Sequence, residues 1–178
     1  MVLQIIYAPN EIFRKKADPV AKVNSEIKEL IDQMFATLSY ERAVGIAGNM
    51  VGVLKRIIVI DLNENNESKP ICMVNPQITH KSDEMQVFEE ASLCYPGISA
   101  EVARPSKIKV KYLDYEGKQH EIEAEGFFAT VIQHEVDYLD GKIYLDHVSK
   151  MKRDLLLAKM KKFIKLHPPH VHGTSCSH

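Results

Sequence analysis

The feature that most constrains this chain is its middle third, where short apolar runs are interrupted again and again by residues that turn the backbone. Segments 72–74, 77–80, 99–103, 108–113 and 120–124 are each too short for a typical helix and are bounded by Asn, Asp, Gly or Pro. Asp114-Tyr115-Glu116-Gly117 has the composition of a hairpin turn joining the last two. Such a pattern predicts antiparallel sheet. The run 57–60, Ile-Ile-Val-Ile, is apolar on every position and predicts a strand buried on both faces.

Helical periodicity flanks this sheet. Ile27, Leu30, Ile31, Met34, Phe35 and Leu38 recur at helical spacing behind Asn24 and Ser25, either of which can cap the first turn. Between this helix and 57–60 lies a glycine-bearing loop, 45–52. A second helix is predicted over 127–139, stopped by Asp140-Gly141, and a third from near Ser149. The third puts Leu156, Leu157, Met160, Phe163 and Ile164 on one face and Lys152, Lys159, Lys161, Lys162 and Lys165 mostly elsewhere. A docked helix with a solvated basic face explains that pattern, and a binding surface is the alternative. The whole reads as one α+β domain over residues 1–166, with antiparallel sheets around a central helix and a helix at its C-terminal end. Residues 167–178 form a His-rich tail expected to be disordered, whose His167, His170, His172, Cys176 and His178 would bind metal only adventitiously.

Composition excludes several classes of function. A formal net charge of -1 gives no footprint for nucleic acid. Three cysteines without C-x-x-C spacing fit neither a disulfide framework nor a zinc ribbon, and point to a reducing compartment. The N-terminus has no signal-like apolar core, and no apolar run is long enough to span a bilayer. A cytoplasmic protein without a nucleic-acid or membrane partner is expected.

One hexapeptide carries candidate chemistry. Gln133-His134-Glu135-Val136-Asp137-Tyr138 approaches H-E-x-x-H, in which two histidines four apart on one helical face hold a divalent metal. Tyr138 stands where the second histidine would be. Taken alone, the hexapeptide fits an incidental surface His-Glu pair as well as a degraded metal site.

Further segments give it context. Pro9, Phe13-Arg14, Ala17-Asp18-Pro19-Val20, the octapeptide Gly-Ile-Ala-Gly-Asn-Met-Val-Gly over 45–52, Glu90-Ala91-Ser92-Leu93-Cys94-Tyr95-Pro96-Gly97, the hexapeptide with Leu139-Asp140-Gly141, and Asp146 follow in order. Over about residues 5–153 the chain thereby resembles the peptide deformylases. The resemblance implies hydrolytic removal of the formyl group from N-terminal formyl-Met of nascent proteins. It also implies Fe or Zn held by one cysteine and two histidines, a glutamate as general base, and a glutamine with a backbone N–H for the oxyanion. Gly45, Ile46 and Ala47 would then form an extended edge for peptide backbone.

Set against the family patterns G-x-G-x-A-A-x-Q, E-G-C-L-S and Q-H-E-x-D-H, this chain departs where chemistry matters most. Gly45, Ala47, Glu90, Leu93, Gln133, His134, Glu135 and Asp137 match. Ala43, Gly48 and Ala91 do not, Ser92 stands at the ligand cysteine, Cys94 at the serine, Tyr138 at the second ligand histidine and Met50 at the oxyanion glutamine. His134 alone is retained as a metal ligand, with Glu135 as base and Leu93 supplying the backbone N–H. Neutral hydroxyls are poor ligands, and a thioether has no proton to donate. No tightly bound metal is therefore expected, and activity should be absent or very weak. Two alternatives stay open: Cys94 as a substitute ligand, or a metal-free thiol hydrolase using Cys94, His134 and Glu135. The partners implied are formyl-Met or other N-terminal peptides, with a ribosome contact through the basic C-terminal helix.

Overall fold

The computed structural model describes residues 1–169, with antiparallel sheets and three helices. Helix α1, Ser25–Glu41, begins where Asn24 Oδ1 accepts from the Ile27 backbone N–H at 3.0 Å. It buries Ile27, Ile31, Met34 and Leu38 and ends at Arg42 in the left-handed region, φ 54°. Seven strands follow: β1 (Gly45–Ala47), β2 (Ile57–Ile60), β3 (Ile71–Lys81), β4 (Met85–Ser92), β5 (Tyr95–Pro105), β6 (Lys107–Leu113) and β7 (Gln119–Glu125). Helix α2 spans Gly126–Leu139 and α3 spans Lys150–Leu166.

A five-stranded antiparallel sheet has the order β1-β2-β3-β6-β7, and β4 pairs with β5 in a separate two-stranded sheet. All four residues of β2 are buried, as its unbroken apolar run requires. Helix α2 lies in the core between the sheets, with Ala129, Val131, Ile132, Val136, Tyr138 and Leu139 buried beside the polar Gln133, His134 and Glu135. Gly141 takes φ 72° just past its end, as the sequence predicts.

Three expectations are corrected. Segments 72–74 and 77–80 are one strand, β3, bent where Asn75 adopts φ 53° and the register shifts between Val74 and Gln77. Asn75 is held there by Val20, whose N–H and C=O both bond its side-chain amide at 2.8 Å. The glycine-bearing loop is not irregular: its first three residues form strand β1, extended as the resemblance implies, and a short 3-10 helix, Gly48–Val51, follows. Strand β4 was not anticipated, because its outward residues, including Met85 and Val87, are exposed and blur the alternation.

Helix α3 starts at Ser149, whose Oγ accepts from the Lys152 N–H at 3.2 Å. It docks on β5 where Gly97 (φ 77°) lets the Phe163 ring approach closely enough that any Cβ there would collide with it. His167 stacks on Phe163 at 4.6 Å, and the remaining tail residues singled out above, His170, His172, Cys176 and His178, lie outside the described residues.

Candidate active site

The site forms where α2 passes beneath the β4-β5 turn and the edge strand β1. His134 and Tyr138, four residues apart, share one face of α2 and point toward Ser92 at the end of β4. The Ser92 and Tyr138 hydroxyls bond each other at 2.6 Å, and Ser92 Oγ also accepts from the Cys94 N–H at 3.3 Å. Tyr138 is fully buried, edge-on to Phe13 and to His134, each with ring centroids 5.6 Å away. Burial, with the nearby Cys94 and Glu135, pushes its phenol well above its ordinary range, although the Ser92 bond opposes this. It is therefore a neutral hydroxyl at any physiological pH.

His134 is oriented from behind. Its Nδ1 lies 2.8 Å from Glu90 Oε1, and because a carboxylate only accepts, Nδ1 carries the proton and Nε2 is left as the acceptor. Glu90 is clamped by Arg104, whose Nε and Nη2 donate to its two oxygens at 2.7 and 2.9 Å. Arg104 Nη1 reaches Asp137 at 2.9 Å, which in turn meets His147 Nε2 at 2.8 Å. Burial alone would raise the Glu90 and Asp137 carboxyls, but the hydrogen bonds from His134 and Arg104 to Glu90, and from His147 and Arg104 to Asp137, hold both below the ordinary range. Arg104 and His147 escaped the sequence reading. The signal was present: Ile98, Ala100 and Val102 alternate inward along β5, and the next inward position is Arg104, only 3% exposed.

Glu135 lies directly under β1. A Cβ added at Gly45 would sit 2.6 Å from Glu135 Oε1, so only glycine lets the strand pass over this carboxyl. Glu135 Oε2 has no hydrogen-bond partner. Burial, reinforced by Glu90 and opposed by His134 and Arg104, raises its pKa to about 7.

Strand β1 is an edge. Val44 C=O accepts from Asp61 N–H, and the register pairs Ile46 with Val59, so the N–H and C=O of Gly45 turn away from β2. The Ala47 N–H, on that same outer side, meets Met50 Sδ at 3.3 Å. Met50, 1% exposed, therefore spends its one weak acceptor on the backbone and offers no donor. Gly45, Met50, Ser92, Leu93, His134 and Glu135 line a cleft of about 590 Å³, whose apolar wall includes Tyr7, Phe127 and Val131.

The residues present do not fit a catalytic metal. Of the three implied ligand positions only His134 offers a lone pair suited to one; the other two hold neutral hydroxyls already bonded to each other. Among the described residues, no group of three or more His, Cys, Asp or Glu is placed to hold a metal ion. Cys94 does not repair this. It lies in the turn after β4 rather than in extended chain, and it is fully buried. Burial and the Glu135 charge push its thiol well above the ordinary value, and the Ser92 and Tyr138 hydroxyls only partly offset them. A buried thiol held neutral is a poor nucleophile.

A larger cleft, about 1150 Å³, lies on the other side of the Arg42–Val44 segment. It holds a second thiol and imidazole, but burial raises Cys72 to about 11, and His120 is committed to Asp114 at 2.6 Å. The residues singled out from the sequence, Gly45, Met50, Ser92, Leu93, His134 and Glu135, line the cleft at His134 instead.

An α+β domain with a buried His-Glu pair on its central helix, beneath an open strand edge and an apolar cleft, is the scaffold of a metal-dependent amide hydrolase. The polypeptide deformylase family profile matches residues 2–154. A protein described as peptide deformylase-like, from Rickettsia conorii, is 58% identical over 175 residues, covering 98% of this chain and 96% of its own. A peptide deformylase of Rickettsia canadensis is 42% identical over 167 residues, 90% and 95% of the two chains. The crystal structure of peptide deformylase from Ehrlichia chaffeensis superposes with a TM-score of 0.89 at 36% identity, covering 93% of this chain and 98% of that one. The chain belongs to the polypeptide deformylase family.

Proposed function

We propose that this chain has lost efficient formyl hydrolysis and keeps the family's cleft as a binding site for peptide N-termini. The carrying observation is the 2.6 Å bond between Ser92 and Tyr138, two hydroxyls that satisfy each other at two of the three implied ligand positions. The metal in this family supplies an activated water and a Lewis acid, and this donor set is not suited to hold it. Met50 compounds the loss, since removing one oxyanion donor typically costs on the order of 10²–10³ in rate. Glu135 keeps the place of the general base but has no activated water to serve.

What remains suits recognition. The apolar cleft accommodates a first side chain such as Met, and the outward N–H and C=O of Gly45 offer a peptide main chain a partner. Formyl-Met or other N-terminal peptides are the ligands that fit, and the cytoplasm is where such chains emerge.

The test uses protein purified without an affinity tag. Metal content after dialysis should be far below one ion per chain, and formyl-Met peptide hydrolysis should fall several orders of magnitude below a turnover of about 10 s⁻¹. Stoichiometric Fe or Zn mapped to His134 by anomalous scattering, or turnover near that value, refutes the loss of catalysis. Formyl-Met and Met peptides should perturb the amide resonances of Gly45, Ile46 and Ala47. No perturbation at about millimolar peptide refutes the binding role.

A further inference from the structure

Helix α3 holds most of the chain's charge asymmetry. Its seventeen residues, Lys-Met-Lys-Arg-Asp-Leu-Leu-Leu-Ala-Lys-Met-Lys-Lys-Phe-Ile-Lys-Leu, carry seven basic side chains against one acidic, while the chain as a whole has a net charge of -1. The helix therefore stands at +6 and the rest of the chain at -7. The face docked on β5 buries Met160 and half-buries Leu156, Leu157, Phe163 and Ile164, which accounts for the inward apolar stripe.

The outward face is not simply polar. Met151, Leu155 and Leu166 are 73%, 67% and 77% exposed. At 100° per residue they fall within about 60° of one another, with exposed Ala158 on the same line and Lys162 interrupting it, so the helix presents a line of apolar side chains spanning roughly 22 Å. Lys152 and Lys159 flank one side of it, and Lys150, Lys161 and Lys165 the other. All five flanking lysines are exposed. A solvated basic face does not account for three large apolar side chains along its crest.

We propose that this face of α3 is a docking surface for an anionic lipid bilayer. An apolar crest with lysines on both shoulders is the arrangement that lies in a membrane interface, the crest entering the acyl boundary while the lysine stems carry their ammonium groups up to the headgroups. The helix does not cross the membrane; no described helix is long and apolar enough for that. The expectation that this chain lacks a membrane partner came from the absence of an apolar run long enough to span a bilayer, which does not bear on a helix that lies on its surface.

Two other occupants fit less well. A second copy of the chain docked through the same face would set two +6 helices against each other. RNA would satisfy the lysines but leave Met151, Leu155 and Leu166 without apolar contact, and the one arginine of the helix, Arg153, is half-buried and turned to Asp146 at 3.5 Å.

The test is sedimentation of the full chain with vesicles of phosphatidylcholine alone or with 30% phosphatidylglycerol (about a third of the headgroups anionic, as in a strongly charged leaflet). Binding should require the anionic lipid and weaken steeply with salt. The pair Lys161→Glu and Lys162→Glu should reduce partitioning by more than about 25-fold, since each lysine near an anionic surface is worth about fivefold. The pair Met151→Gln and Leu155→Gln keeps every charge and should still reduce binding at least tenfold. These side chains are exposed, so an unchanged far-UV spectrum and melting point should confirm that each variant folds. Absence of binding to anionic vesicles at low salt overturns the proposal. So does binding that the glutamine pair leaves unchanged, or tighter binding to structured RNA that is likewise insensitive to that pair.

Discussion

Arg104 is the cation on which the buried half of the site depends, and Arg104→Met tests that dependence with little change in volume. In the native chain its guanidinium donates three charge-assisted hydrogen bonds, two to Glu90 and one to Asp137, at 2.7–2.9 Å and 3% exposure. Removing it strands two carboxylates in the core. His134 and His147 remain beside them, but breaking a buried pair typically costs about 3–5 kcal/mol. For a domain of this size that corresponds to a fall in melting temperature of roughly 6–20 °C. The pH dependence gives the sharper signature. Glu90 and Asp137 are held below their ordinary values in the folded chain, so they contribute stability above the unfolded carboxylate range and lose it as pH falls through their folded values. Without Arg104, burial dominates and raises both, so the variant should lose stability as pH rises. The gap between variant and native chain should therefore be widest near pH 8 and narrow toward about pH 5. Urea unfolding at the two pH values measures it. A loss below about 1 kcal/mol at pH 8, or one that does not narrow on acidification, would refute the account of this network.

Further outcomes follow from the same geometry. Glu135, raised to about 7 by burial, binds a proton in the folded state across the interval from about 4.5 to 7, so native stability should decline over that interval as pH rises. Glu135→Gln should remove the decline and stabilise the chain by on the order of 3 kcal/mol at pH 8, with little effect near pH 4, as chemical denaturation can show. Gly45→Ala should destabilise the domain and displace the Glu135 side chain, because its Cβ would lie 2.6 Å from Oε1; a crystal structure of the variant with both groups unmoved would contradict this. The triple variant Ser92→Cys, Tyr138→His, Met50→Gln restores both ligands and the oxyanion donor to a scaffold that already orients His134 through Glu90. It should bind divalent metal in isothermal titration where the native chain does not. Deformylation should return only weakly, since Ala43, Gly48 and Ala91 still depart from the family pattern and such supporting errors cost about 10–100-fold each. A folded triple variant without metal affinity would mean that the pocket has been rebuilt rather than stripped.

The sequence by itself was enough for the class of architecture and for the family. Periodicity placed α1, β6 and β7 because each buries a stripe that repeats at 3.6 or 2 residues, an unbroken apolar run placed β2, the Asp140-Gly141 stop bounded α2, and spacing put His134 and Tyr138 on one helical face. The identities of Ser92, Tyr138 and Met50 were sufficient to argue against a metal, since ligand chemistry depends on the atoms a side chain carries. Strand β4 was hidden because a two-stranded sheet open to solvent relaxes the alternation on its outer face. The bend at Asn75 was hidden because its cause, Val20, lies 55 residues away. Tertiary structure alone decided how the pieces meet. Whether Ser92 and Tyr138 face each other, whether Cys94 lines the cleft or turns behind it, and whether Arg104 is a surface charge or a buried clamp all depend on which strand packs over which helix. Those are relations between residues distant in the chain, set by the burial of side chains against one another, and no local pattern records them.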